Sequence, residues 1–108
     1  MTTQDKNKLI AEFMDGEFDG REWVFNGQQH KTLKYETSWD WLMPVVEKIE
    51  KLAVDNIGEI YCVIMPFQID IHGSGMVVLS KKRITTKINM VWIAIVDFIQ
   101  WYNENRES

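Results

Sequence analysis

Ile88-Asn-Met-Val-Trp-Ile-Ala-Ile-Val-Asp-Phe-Ile-Gln-Trp-Tyr102 is the stretch on which the fold of this chain turns. Twelve of these fifteen residues are apolar, and Asn89, Asp97 and Gln100 are the interruptions. The segment is too short to span a bilayer, which takes about 20 apolar residues. It is also too apolar for a helix with one wet face. Such a helix must be covered on nearly all sides, by its own fold, by a second copy or by a partner. Ile88, Val91, Trp92, Ile95, Phe98, Ile99 and Tyr102 form one stripe, expected to face a sheet. Met90, Ile93 and Trp101 lie roughly opposite, with Asp97 among them, and are expected to meet another chain.

Working back from that helix, Thr85 or Thr86 stands where a cap is needed. Met76 to Leu79 reads as a strand, and Gly73-Ser74-Gly75 as the turn before it. Phe67, Ile69 and Ile71 alternate with Gln68, Asp70 and His72, the period of a half-exposed strand. Pro66 separates this run from a buried strand over Glu59 to Met65. Leu42, Val45, Val46, Ile49, Leu52 and Ala53 are the apolar stripe of a helix running to about Ala53. Glu47, Lys48, Glu50 and Lys51 are its wet face, with Glu47 and Lys51 one turn apart in the favourable order. Thr37 or Ser38 is placed to cap it, and Thr37 with Asp40 resembles a capping box. Pro44 should kink this helix or delay its start.

Further upstream, Asn26-Gly27 signals a hairpin. It joins a strand over residues 21–25, with Trp23 and Phe25 on one face, to a return strand over residues 30–35. Residues 6–14 read as a short helix with Leu9, Ile10, Phe13 and Met14 on one side and Asp5 as its cap. The order is αββαββα or close to it. This is an α+β fold of three helices on a small antiparallel β-sheet, in a single domain over residues 1–108.

Composition narrows the function classes. The formal net charge is −4, the wrong sign for a dedicated nucleic-acid binder. Lys81, Lys82, Arg83 and Lys87 nevertheless form a local basic cluster, the nucleic-acid-binding set of an alternative reading. Cys62 is the single cysteine, so no disulfide framework exists and reducing cytosol is the expected compartment. The N-terminus has no charged-then-apolar signal pattern, and no run of eighteen apolar residues occurs. A cytoplasmic protein with no membrane partner is expected.

No catalytic motif is present, so no enzyme is expected. Asp15-Gly-Glu17-Phe-Asp19-Gly20 echoes the start of a calcium loop, but Asn26 stands where a bidentate Glu is required. His30, His72 and Cys62 lack zinc-ligand spacing. Cys62 lies in an apolar strand, where a thiol is inert. Metal and cofactor are both expected to be none. Trp39 and Trp41 flank Asp40 and read as packing residues at the start of the helix.

Tyr35-Glu-Thr-Ser-Trp-Asp-Trp-Leu-Met-Pro-Val-Val-Glu-Lys-Ile49, the ending Phe98-Ile-Gln-Trp-Tyr-Asn103 and the early Lys8-Leu-Ile-Ala-Glu-Phe-Met14 together resemble small proteins encoded by phages and prophages. The similarity is to a phage α/β/α-sandwich type of domain, and it transfers no catalytic residue. It implies a non-enzymatic protein that binds and inhibits a host defence protein in the bacterial cytoplasm. The specific expectation is an anti-CRISPR protein acting on an RNA-handling CRISPR nuclease or its RNA complex. Asp15, Glu17, Asp19 and Glu22 would occupy a basic RNA channel, and Met90, Ile93 and Trp101 would supply the apolar anchor. The alternatives are an assembly accessory that homodimerises through its last helix, and a nucleic-acid binder using Lys81, Lys82, Arg83 and Lys87.

Overall fold

The computed structural model describes residues 2–25, 27–51, 53–54, 58–73 and 76–105. The elements in order are α1 (Thr3–Phe13), β1 (Glu17–Phe18), β2 (Trp23–Phe25), β3 (Gln28–His30), α2 (Trp39–Lys51), β4 (Ala53–Val54), β5 (Gly58–Ile64), β6 (Gln68–Gly73), β7 (Met76–Lys82) and α3 (Lys87–Asn105). The strands form two antiparallel sheets, ordered β1-β2-β3 and β4-β5-β6-β7. The class is α+β, as the hydrophobic periods imply. The two-residue strands β1 and β4 are additions to the expected order.

α1 begins one turn earlier than its apolar stripe suggests. Thr2 is the cap, not Asp5: its hydroxyl accepts from the Asp5 N–H at 3.1 Å, and the Asp5 carboxylate accepts from the Thr2 N–H at 3.2 Å. This reciprocal pair satisfies two backbone donors at once. The far end closes with Asp15 at φ 63°, its N–H donating to Glu12 and the Gly16 N–H donating to Ala11. Gly16 is required there, because a Cβ would lie 2.3 Å from the Phe25 ring.

α2 starts at Trp39, with the Ser38 carbonyl accepting from Trp41 and Leu42. The expected Thr37–Asp40 capping box is out of register by one residue. Pro44 does not delay the start; it sits inside the helix on an exposed side. Leu42, Val45, Val46 and Ile49 are buried as their spacing implies. Ala53 belongs to β4, and Leu52 lies outside the described residues.

In the larger sheet, Cys62 and Ile64 of β5 stand opposite Ile71 and Ile69 of β6, and Leu79 and Lys81 of β7 stand opposite the same two. Directly opposed residues share a face, so these side chains line one apolar side. α2 lies against β5 on this side, the Glu50 carboxylate accepting from the Cys62 N–H at 3.1 Å. α3 lies against β6 and β7. The other side carries Gln68, Asp70 and Ser80, joined by hydrogen bonds of 2.6–3.1 Å. α2 and α3 therefore lie on one face of this sheet, whereas the expected α/β/α sandwich would cover both. Phe67 corrects a second expectation. It precedes β6 and leaves the strand's apolar row to Ile69 and Ile71.

α3 is enclosed within one chain. Met90, Val91, Trp92, Ala94, Ile95, Val96, Phe98 and Ile99 are all buried. Asp97 pairs with Lys81 of β7 at 2.7 Å, whereas the Trp92 Nε1–H donates to Asn7 of α1 at 2.8 Å. Phe13 of α1 meets Tyr102 edge-on at 6.2 Å. Trp92 and Asp97 lie about 140° apart around a helix. The stripe expected to face the sheet thus turns partly to α1, and the stripe expected to face another chain turns to β7. Thr86 caps the helix, its hydroxyl accepting from the Asn89 N–H at 3.1 Å.

Candidate functional site

The small sheet places its side chains on two unlike faces. Phe18 and Trp23 are cross-strand partners, as are Trp23 and His30, and Phe25 shares their face. Their rings make a continuous row: Phe18 to Trp23 at 5.4 Å, Trp23 to Phe25 at 6.5 Å and Phe25 to Trp41 at 6.4 Å. Trp41 also meets His30 at 4.9 Å and Tyr35 at 5.3 Å, and so joins the hairpin to the start of α2. Glu17, Val24 and Gln29 are on the opposite face.

Phe18 ends the aromatic row and is 56% exposed. It lines a cleft of about 660 Å³ between α1 and the small sheet. Lys8, Arg21 and Lys31 line this cleft with Trp23, Leu33 and Glu36. Among the described residues none of these three cations makes an ion pair. The Glu36 carboxylate accepts from the Asn7 side-chain amide at 2.6 Å, and Asn7, 4% exposed, also accepts from Trp92. One buried amide therefore joins α1, the turn before α2 and α3.

The four carboxylates expected to bind a partner fall into two groups. Asp15 belongs to the end of α1. Lys48 of α2 pairs with it at 3.2 Å, donates to the Phe13 carbonyl and lies 4.8 Å over the Phe13 ring. That cation sits at the negative end of the α1 dipole. The others lie along the chain beside Phe18: Glu17 precedes it in β1 on the opposite face, and Asp19 and Glu22 follow it in the β1–β2 connection. Asp19 Oδ1 accepts from the Glu22 and Arg21 N–H groups at 2.8 Å each. These bonds hold its carboxyl below the ordinary range. Asp19 thus shapes the turn that presents Phe18.

The apolar anchors expected on α3 do not join this group. Met90 is 2% exposed, so it is unavailable as a docking anchor, and Ile93 and Trp101 pack half-buried against the core. Of the face offered for homodimerisation, Met90 is taken up by the chain itself.

The expected nucleic-acid cluster is divided as well. Lys81 is paired with Asp97. Arg83 donates through Nε to the Thr85 carbonyl at 3.1 Å and through Nη1 to the Pro66 carbonyl at 3.4 Å. Lys82 and Lys87 are exposed. Among the described residues no group of His, Cys, Asp and Glu is arranged to hold a metal ion. Burial, with Glu50 nearby, pushes the Cys62 thiol up to about 12. No described helix is long and apolar enough to cross a membrane.

Phe18, Asn7 and Lys48 are the residues that reasoning from sequence missed. Phe18 lies in a strand too short to show a period. Asn7 stands three residues before Ile10, in phase with the buried side of α1, and that spacing is the signal that could have found it. Comparison with protein-family models, with curated proteins and with solved structures finds no match to this chain.

Proposed function

We propose that this protein acts by binding a partner protein, without catalysis, and that the contact is made around Phe18. The observation that carries this reading is the placement of that side chain. A large aromatic ring is held out by a two-residue strand, backed by Trp23 and presented by the Asp19 turn. Asp19 and Glu22 form an acidic rim beside it. Interface energy concentrates in such aromatic anchors, and charged rims chiefly set association rate and partner choice.

The partner we propose follows from the resemblance to phage and prophage proteins: a host defence protein, and in its sharpest form an RNA-handling CRISPR nuclease. The acidic rim would enter a basic channel that otherwise holds RNA, and Phe18 would fill an apolar pocket at its edge. This replaces Met90, Ile93 and Trp101 as the anchor and leaves the acidic half of the expectation on Asp19 and Glu22. The homodimer is not carried forward, because Met90 is buried within the chain, nor is the nucleic-acid alternative, because Lys81 is paired with Asp97 and the net charge of −4 has the wrong sign.

The test is to titrate the purified protein into RNA-guided cleavage reactions of a panel of CRISPR nucleases. Inhibition by the native chain is expected. Phe18→Ala should raise the inhibitory concentration by roughly tenfold or more, in keeping with loss of an aromatic anchor. Failure to inhibit any nuclease removes that partner class. Full inhibition by Phe18→Ala removes the Phe18 surface.

A further inference from the structure

Phe67 and Ile84 are 72% and 86% exposed, more than any other large apolar side chain among the described residues. They come from different connections, β5–β6 and β7–α3, yet stand at one tip. The Arg83 N–H donates to the Phe67 carbonyl at 2.8 Å, and the Arg83 guanidinium lies 5.8 Å from the Phe67 ring centre. Lys82 and Lys87 are exposed on the same connection as Ile84. No acidic residue occurs between Asp70 and Asp97. Both of those carboxylates are engaged, Asp70 with Gln68 and Ser80 and Asp97 with Lys81.

We propose that this tip docks on an anionic lipid surface. Phe67 and Ile84 enter the boundary between headgroups and acyl chains, and Lys82, Arg83 and Lys87 meet the lipid phosphates. Charge complementarity points to an anionic surface, and one further observation favours lipid over an acidic protein. The backbone of the tip is prepared for a medium poor in water. The carbonyls of Pro66, Phe67 and Thr85 all accept from Arg83. An unsatisfied carbonyl would resist insertion, and these three are already bonded.

This is surface association, and it departs from the expectation of no membrane partner. It does not depend on the binding role of Phe18.

The experiment is co-sedimentation of the full chain with neutral phosphatidylcholine vesicles and with vesicles containing about a third phosphatidylserine. Binding to the anionic vesicles is expected, at least roughly tenfold stronger than to the neutral ones at low salt. Phe67→Ser and Ile84→Ser should each reduce that binding by roughly tenfold. Lys82→Glu with Lys87→Glu should abolish the preference for anionic lipid. All four side chains are exposed, so thermal midpoints should hold and report that the variants fold. Absence of binding to anionic vesicles overturns the proposal, as does unchanged binding by the Phe67→Ser, Ile84→Ser double variant. Capture of a polyglutamate peptide by this tip, with vesicles ignored, overturns it in favour of a protein ligand.

Discussion

Asn7 holds more of the fold together than any other single polar side chain described here. Its amide oxygen takes the Trp92 indole N–H, and its amide nitrogen serves the Glu36 carboxylate. The bond from Trp92 is buried, and the one to Glu36 is part-buried at the cleft wall. Removing a partner of a buried donor costs about 1–3 kcal/mol, and more when the other group is charged. Asn7→Ala should therefore destabilise the chain by about 2–3 kcal/mol, lowering the thermal midpoint by roughly 10 °C. A double-mutant cycle with Trp92→Phe separates this from general loss of packing. The second substitution should cost less once Asn7 is gone, and strictly additive losses would mean that the bond contributes nothing. Lys48 makes a related point about what a sequence conceals. Within Glu47-Lys-Glu-Lys51 it reads as one more solvated cation. Yet it reaches the last carbonyls of α1, because helix α2 happens to pass that terminus.

At the scale of the element, α3 shows where periodicity stops carrying information. Three helices and the strands of four or more residues were legible, because a period of 3.6 or 2 repeats several times in each. The orientation of α3 was not. When twelve of fifteen residues are apolar, the hydrophobic pattern has no phase, and either side fits the sheet. Asp97, the single charge in that stretch, lies on the part-exposed side, where it pairs with Lys81 at the sheet edge. Strands β1 and β4 escaped notice for the opposite reason, since two residues cannot display an alternation. Enclosure of the second stripe makes a direct prediction. Met90→Ala should cost about 2–5 kcal/mol, the usual range for truncating an enclosed side chain. Ile93→Ala, at a half-buried position, should cost clearly less. Chemical denaturation measures both, and a Met90→Ala variant as stable as the parent would place that side chain at a surface after all.

For the molecule as a whole, the question is whether one chain suffices to cover its own apolar surface. The sequence argued that it does not. That inference counted the apolar residues of α3 correctly, but it assigned them a single covering layer. The structure supplies two. α1 lies against α3 at Trp92 and Tyr102, and β7 lies against it at Asp97, so a helix apolar on both sides is buried within a solitary subunit. The candidate site was legible in the same partial way. The acidic residues near Phe18 were recognised as exposed carboxylates. Their apolar neighbour was sought in α3, because exposed area cannot be told from buried area without knowing what packs on what. A chain that covers itself should fold without help from mass action. Association that accompanies folding makes the unfolding midpoint rise with protein concentration, whereas a self-sufficient monomer shows none. Thermal unfolding followed across about a hundredfold range of concentration should therefore give one midpoint. A midpoint that climbs steadily with concentration would mean that a second copy still completes the fold, and the face to search would then be the half-buried Ile93 and Trp101 side of α3.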